Sequence, residues 1–503
     1  MADRDRGGLQ RRSMSPIYRR LPRGPHSLDA KEVARHQRLR MHGAMVEAVS
    51  ISGYAGTSVK QVIGLAGVSR RSFYEQFANK QECFLATFDL VASRGVQRIT
   101  EAYRSSSGDL EDRIRASVAV IAEEVELNAK GAGLVLVHAP TAGLPGQARL
   151  RDMTGMFEQM LTSSFARSHD VAKLPSPIVR GIVGGAQEAM SLRLRTGRSE
   201  EIAGISEELV RWTLLFHAPA IERAAELLAA RARTASSSAA NTAAIARANA
   251  TATGGGARPR PSVRLLPDPT AEYLVRAEPQ AAWMPAGLHT LSKTAARRFS
   301  GPRVSERELR RRLRGSVLSL AAAEDYAELT APQIAEAAGI PIEAFCELYS
   351  SKEECFLAAF DELSDELLQV TADPELVSED WAHAVRRVLG GLLGLLAERP
   401  QYAQIIASQA LSAGPESLQR DFALMSDIAT LLTEGAPGAP RSKLAVEGVA
   451  GAIWHTIRCQ VASGQIELLP AMSDYLAYVV LTPFVGAEAA AEVILEDELR
   501  LAA

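Results

Sequence analysis

Residues 56–89 (GTSVKQVIGLAGVSRRSFYEQFANKQECFLATFD) align without a gap on residues 328–361 (ELTAPQIAEAAGIPIEAFCELYSSKEECFLAAFD), at a constant offset of 272 positions. No other feature constrains the fold as strongly, because a repeated pattern of apolar positions requires the same packing twice. Val62 falls on Ile334, Phe73 on Phe345, Phe77 on Tyr349, Phe84 on Phe356, Phe88 on Phe360 and Cys83 on Cys355. The likeness extends upstream, where PRGPHSL (22–28) parallels PAGLHTL (285–291). Downstream, AGLPGQARLRD (142–152) parallels AGPESLQRD (413–421), and Gly181 to Gly197 tracks Gly448 to Gly464. The chain reads as two copies of one unit of roughly 200 residues.

Between and around these blocks the sequence is rich in Ala, Leu, Glu and Arg with apolar residues at helical spacing, and strand-like alternation is hard to find. The expected fold class is all-α. Residues 231–283 (beginning RARTASSSAANTAAIARANATATGGGARPRP) lack apolar periodicity and read as a flexible linker. The expected organisation is a basic arm at 1–34, a first small helical domain at 35–90 and a larger helical domain at 91–230. After the linker at 231–283, a second small domain at 284–362 and a second larger one at 363–503 follow.

Composition narrows the function. Of 503 residues, 47% are apolar, ample for cores of this size. The net charge of −3 excludes a globally basic coat for nucleic acid, but residues 1–40 carry eleven Lys and Arg against four Asp and Glu. Four cysteines without a CxxC or a Cys/His cluster argue against a disulfide framework and a zinc site. His138, His217, His383 and His455 show no metal-ligand spacing and are expected as hydrogen-bonded core or pocket histidines. Cys83 and Cys355, each next to an inward Phe, read as small core residues. No apolar run reads as a membrane span, and the charged N-terminus lacks a signal-peptide apolar region. The expectation is a cytoplasmic protein with no membrane partner, no cofactor and no metal. The chain lacks a Gly-rich phosphate loop, G-x-S-x-G and H-E-x-x-H, and no catalytic residues are assigned.

Residues 35–90 carry the most informative local chemistry. Met41, Met45 and Ala48 define the inner face of a first helix ending at Gly53. Ser58-Val-Lys-Gln61 is a capping box opening a second helix with Val59, Val62, Ile63 and Ala66 inward. Gly67 suits a left-handed helix stop. Ser69 caps a third helix with Phe73 and Phe77 inward, and Asn79-Lys-Gln-Glu82 opens a fourth. Two short helices joined through a glycine turn form a helix-turn-helix, whose second helix enters the DNA major groove N-terminus first. Arg70 and Arg71 sit in that first turn, and arginine pairs bidentately with guanine. Ser72 and Gln76 are placed for bases or phosphates. Tyr74, Lys60 and the helix N-termini at Ser58 and Lys80 are placed for phosphates. The expected DNA-binding residues are therefore Ser58, Lys60, Arg70, Arg71, Ser72, Tyr74, Gln76 and Lys80.

The ordered pieces T-S-V-x-x-V, A-G-V-S, F-Y-x-x-F and K-x-E-x-F within residues 53–89 resemble the DNA-binding domain of TetR/AcrR-type bacterial transcriptional regulators. The resemblance places DNA contacts at the same eight residues. It implies a cytoplasmic, nucleoid-associated repressor of bacterial type, and behind each helix-turn-helix an α-helical domain that binds a small effector and dimerises through a four-helix bundle. Met153, Met156, Phe157 and Met160 form one apolar stripe and Trp212 with Phe216 another, and these are the candidate lining of a pocket for a small apolar effector.

The second copy departs from this pattern where DNA would be read. Arg70 corresponds to Ile342, Arg71 to Glu343, Ser72 to Ala344, Tyr74 to Cys346, Gln76 to Leu348 and Lys60 to Pro332, while Lys352 matches Lys80. Residues 31–90 carry a net charge of +3 and residues 303–362 a net charge of −5. The second copy is expected to be a structural partner that does not read DNA, with Arg310–Arg314 as residual backbone contacts. Helices near 178–195 and 200–228 are expected to pack on 444–462 and 470–497 as an intramolecular pseudo-dimer. Two reading heads then require either that two chains associate as a homodimer or that N-terminal halves pair across chains, and the sequence leaves both open. The expected partners are double-stranded DNA and a small-molecule effector. The competing class is a ligand-binding or protein-interaction module without specific DNA binding.

Overall fold

The computed structural model describes residues 30–167, 174–216, 305–324, 326–377 and 380–502. Most of the basic arm, the linker 231–283 and the paired segments at 22–28 and 285–291 lie outside these residues. Every regular element among the described residues is helical.

The first part of the chain contributes α1 (Ala30–Gly56), α2 (Val59–Ala66), α3 (Arg70–Tyr74), α4 (Lys80–Ser105), α5 (Leu110–Leu127) and α6 (Ala129–Gly133). These are followed by α7 (Leu144–Arg167), α8 (Ser176–Arg195), α9 (Glu201–Gly204) and α10 (Ser206–Leu214). The later part contributes α11 (Glu306–Ala323), α12 (Ala331–Ala337), α13 (Ile342–Leu348), α14 (Lys352–Thr371), α15 (Trp381–Glu398), α16 (Pro400–Gln404) and α17 (Ala410–Ser412). It ends with α18 (Pro415–Glu434), α19 (Ala445–Ala462), α20 (Ser473–Val485) and α21 (Ala487–Ala502).

Local chemistry sets the breaks. At Gly53 the backbone takes φ 66°, a kink that the α1 helix survives by one further turn to Gly56. Ser58 and Gln61 form the reciprocal cap of α2, and Gly67 ends that helix in the left-handed conformation at φ 60°. Thr330 and Gln333 cap α12 in the same way, and Gly339 follows it at φ 66°. Wide-turn helical stretches at Leu134–His138 and Ile405–Gln409 interrupt both parts.

Two cores result. One holds Met41, Met45, Val62, Phe73, Phe77, Phe84 and Phe88 together, closed by Leu134, Leu150 and Met153. The other is continuous across the two parts of the chain: Ile178, Ile182, Trp212 and Phe216 share it with Ile453, Trp454, Tyr478 and Val479. The seam inside this larger core is the face where α8 meets α19 and α20.

Glycine makes the seam possible. A Cβ on Gly184 would stand 2.5 Å from the His455 Cβ and 2.8 Å from the Gly451 carbonyl oxygen. A Cβ on Gly185 would stand 2.5 Å from the Trp212 ring, and one on Gly448 would also strike that ring. Trp212 is fully buried in this slot and donates its indole N–H to the Ile182 carbonyl at 2.9 Å. Polar bonds surround the apolar contact. Tyr478 donates to the Phe216 carbonyl at 2.6 Å, Arg193 pairs with Glu447 at 2.6 Å, and the Glu208 carboxylate accepts from the Lys443 amide at 3.0 Å.

The stretch Ile466–Val485, with mean hydropathy 1.4, is long and apolar enough to cross a membrane by composition, which the sequence reading did not anticipate. Two thirds of it is buried inside the fold, where Tyr475 to Pro483 are packed without a break. A helix apolar all round is what a core helix requires.

Gly448→Val is expected to destabilise the protein by about 1–3 kcal/mol, because the new methyls must displace Trp212. Gly390→Ala meets nothing within 4 Å and is expected to be neutral or to stabilise by roughly 0.5–1 kcal/mol. Urea unfolding of both variants checks the contrast.

Candidate nucleic-acid interface

The short α3 is held by its apolar side. Phe73 and Phe77 are buried against α1, and Ser69 caps the helix by accepting from the Ser72 amide at 3.0 Å. Arg40, itself buried, reaches from α1 to the Ala66 and Gly67 carbonyls, the latter at 2.9 Å. It therefore satisfies the orphan carbonyls at the α2 C-terminus and fixes the turn between the two helices. His42, also buried on α1, bonds Thr87 of α4 at 2.8 Å. Neither residue stands out in the sequence, because each acts on a partner distant along the chain.

The polar side of α2 and α3 faces outward. Ser58, Lys60, Arg70, Arg71 and Tyr74 are all exposed. The Arg71 side chain is 89% exposed and pairs with Glu75 at 2.8 Å one turn away. An exposed pair at this spacing contributes only about 0.3–0.5 kcal/mol, less than the roughly 1–3 kcal/mol of a bidentate arginine–guanine contact. The Arg70 guanidinium lies 5.6 Å from the centre of the Tyr74 ring, which is 46% exposed.

Besides Arg71 and the Ser58 hydroxyl, which caps α2 through Gln61, three more of the eight residues are engaged. Ser72 shares a hydrogen bond of 2.9 Å with Ser69. Gln76 donates to the Ala34 carbonyl at 3.2 Å, and its main-chain carbonyl accepts from Arg38, so this residue ties the segment after α3 to α1. Lys80 turns inward: its ammonium donates to the Tyr54 carbonyl at 3.0 Å and sits 4.3 Å from the centre of the Tyr54 ring. Burial lowers its pKa. Its charge closes the end of α1, and the helix N-terminus at Lys80, the expected phosphate contact, is separate from this ammonium.

The corresponding face at α12 and α13 has another chemistry. Pro332, Glu343, Cys346 and Glu347 are exposed there. Lys352 bonds the Tyr326 and Leu329 carbonyls at 3.1 and 2.7 Å. The arginines of α11 face carboxylates: Arg310 pairs with Glu306 at 2.8 Å, Arg311 and Arg312 with Glu308 at 2.8 and 3.0 Å, and Arg314 with Glu362 at 3.0 Å. Cys83 and Cys355 are wholly buried, and burial pushes each thiol up to about 12.

Behind α3, a cavity of about 210 Å³ lies between α4, α5, α7 and α8. Met153, Phe157 and Met160 line it, with Ile99, Val118 and Met190 opposite. The other two residues suggested for this pocket lie elsewhere. Met156 is 48% exposed, because it projects from the outer side of α7, and Trp212 fills the glycine slot of the seam.

Residues 47–87 match the family described as bacterial regulatory proteins, tetR family. Over that stretch the chain is similar to a TetR-type domain. No curated protein matches the chain. Among solved structures, the chain is similar to the fatty acid degradation regulator FadR of Bacillus halodurans. The identity is 15%, the match covers 35% of this chain and 96% of that one, and the TM-score is 0.32. It is also similar to FadR of Bacillus subtilis, solved in complex with stearoyl-CoA (13% identity, 35% and 96% covered, TM-score 0.32). A TetR family transcription regulator of Marinobacter aquaeolei VT8 matches at 17% identity over 36% and 97% of the two chains, with a TM-score of 0.30.

Burial, helped by the charge of Arg38, lowers the His42 pKa from 6.5 to about 4. The unfolded chain therefore takes up a proton below pH 6.5 that the folded domain refuses until about pH 4, so stability falls as pH drops through that window. Between pH 6.5 and 5 the loss from this residue is at most about 2 kcal/mol. His42→Gln should flatten that part of the stability profile, as read from urea midpoints.

Proposed function

We propose that this chain is a sequence-specific, DNA-binding transcriptional regulator acting in the bacterial cytoplasm, a repressor that a small apolar effector releases. The observation that carries the reading is the exposed N-terminal turn of α3. Arg70 and Arg71 project there from a helix whose other side is locked by Phe73, Phe77 and the Arg40 bridge. A rigid helix presenting arginines from its first turn is what major-groove recognition uses. The TetR-type match at residues 47–87 supports the same reading.

On this proposal the chain is a tandem of two related units. The first reads DNA and the second supports it. The acidic surface of α13 and the carboxylate-paired arginines of α11 favour that division, because phosphate would be repelled by Glu343 and Glu347. The seam of α8 with α19 and α20 serves as an internal pseudo-dimer interface, and the cavity lined by Met153, Phe157 and Met160 takes the effector. One chain then holds one reading head, and a two-fold operator needs a second chain.

Selection of bound DNA from a random library tests this with the full chain. One enriched motif is expected, and a palindromic motif would add that two chains associate. Arg70→Ala or Arg71→Ala should weaken binding at that site by about 1–3 kcal/mol, while Glu343→Ala should leave it unchanged. Comparable losses from both heads would reject the division of labour. No enrichment would favour an interaction module without specific DNA binding. Met160→Trp should fill the apolar cavity and abolish any shift in melting temperature produced by apolar compounds, leaving DNA affinity intact.

A further inference from the structure

A second, larger cavity of about 510 Å³ lies between the two parts of the chain. Both wide-turn stretches border it, through Leu136 and Val137 on one side and Ala407 and Ser408 on the other. Its wall carries His455 and Cys459, one helical turn apart on α19 and therefore on the same face. Glu158, from α7, meets them there. The Glu158 Oε1 lies 2.8 Å from the His455 Nε2, and the Cys459 Sγ lies 3.7 Å from the same nitrogen. The three donor atoms all fall within 4.8 Å of one another.

We propose that Glu158, His455 and Cys459 form a binding site for a single Zn²⁺ ion that joins the two parts of the chain, with a fourth coordination position open to the cavity.

The geometry argues for a metal over a relay of hydrogen bonds. In a Cys–His–carboxylate relay the imidazole uses its two nitrogens for two partners. Here the sulfur and the carboxylate oxygen converge on one nitrogen, Nε2, as ligands around a common centre do. Tetrahedral zinc with ordinary bond lengths holds its N, O and S donors about 3.4–3.6 Å apart; the 3.7 Å sulfur–nitrogen separation fits that spacing, and the 2.8 Å hydrogen bond between Glu158 and His455 opens by about 0.6 Å when the ion enters.

Donor chemistry selects the ion. Thiolate, imidazole and carboxylate together suit zinc, whereas magnesium and calcium take oxygen donors. Three protein ligands with an open position are the form that zinc takes where it binds an exchangeable group. The charges also balance, because one thiolate and one carboxylate offset a divalent cation. Nearby guanidiniums have their own carboxylates: Arg458 pairs with Asp421 at 2.9 Å and Arg195 with Glu188 at 3.0 Å. Arg180 lies 3.5 Å from Oε2 of Glu158, the oxygen turned away from His455, and so orients the ligand without occupying its coordinating atom.

Packing prepares the site. His455 is pressed against α8 where Gly184 has no side chain. The same glycine seam that brings α8 and α19 together therefore places His455 and Cys459 opposite Glu158. The sequence holds half of the site, the His455 and Cys459 pair one helical turn apart, but not its third member, because Glu158 and His455 stand 297 positions apart. The expectation of no metal rested on spacing along the chain, whereas this cluster is assembled across it.

The test uses the full chain, stripped with a chelator, and titrates Zn²⁺ by calorimetry and Co²⁺ by absorption. One ion per chain and an intense thiolate-to-cobalt charge-transfer band are expected. Cys459→Ser should abolish that band, and Cys459→Ser and Glu158→Gln should each weaken Zn²⁺ binding about tenfold or more. Cys346→Ser, at an exposed cysteine away from the cavity, should change neither. At a given concentration Zn²⁺ should raise the melting temperature of the wild-type chain more than that of Cys459→Ser. Circular dichroism establishes that the variants are folded. No Zn²⁺ binding to the wild-type chain, binding that Cys459→Ser leaves unchanged, or loss of the band in Cys346→Ser would each overturn the assignment. The outcome does not depend on whether α3 reads DNA.

Discussion

The structure depends on a close approach of two helices that only glycine permits. Where α8 meets α19, Gly184 and Gly451 bring backbone against backbone, and Gly185 and Gly448 leave the slot that Trp212 fills. A buried tryptophan is among the largest single apolar contributions available, with truncation costing roughly 3–5 kcal/mol. Its ring cannot be accommodated unless both glycines stay bare. The flanking bonds, Tyr478 to Phe216 and Arg193 to Glu447, fix the azimuth of helices whose separation the glycines set.

The helices around α3 and those around α13 show how framework and surface separate in one chain. Beneath α3 and α13 the same devices recur: a reciprocal cap on the helix before, a positive-φ glycine, and a lysine seated over a tyrosine ring, Lys80 on Tyr54 and Lys352 on Tyr326. Above them the exposed side chains share little. Arg70 and Arg71 stand on one surface, and Glu343 and Glu347 on the other. Fold requires the buried set, and recognition requires only the exposed set, so substitutions outside leave the scaffold in place.

What was legible from the sequence was what is decided within a turn or two. The Ser58 and Gln61 cap, the Gly67 stop and the inward Phe73 and Phe77 follow from neighbours three or four positions away. Gly53 was legible as a break, although the helix resumes beyond it for a turn. The place of Lys80 at a helix start is legible, whereas the bond of its ammonium to the Tyr54 carbonyl, 26 positions back, is not. The stripe Met153, Met156, Phe157 and Met160 is wider than the face α7 buries, so one member, Met156, turns out to solvent. Trp212 belongs to a seam with Gly448, a pairing that helical periodicity cannot express. The meeting of Glu158 with His455 is invisible for the same reason.

The seam also sets a timetable. Tyr478 and the carbonyl it reaches at Phe216 are 262 positions apart. A ribosome adding roughly 5–20 residues per second needs about ten to fifty seconds to make that stretch. Throughout that interval the face of α8 that will meet α19, with Ile182 and the Trp212 ring beside it, has no partner from its own chain. Glycine-lined apolar helix faces are sticky to other copies in the same condition, and neighbouring ribosomes on one message hold such copies close together. Assembly from a single chain thus carries a liability during synthesis that two separate, quickly finished subunits would not, and the rate of translation through residues 217–444 becomes part of what decides the yield of folded protein.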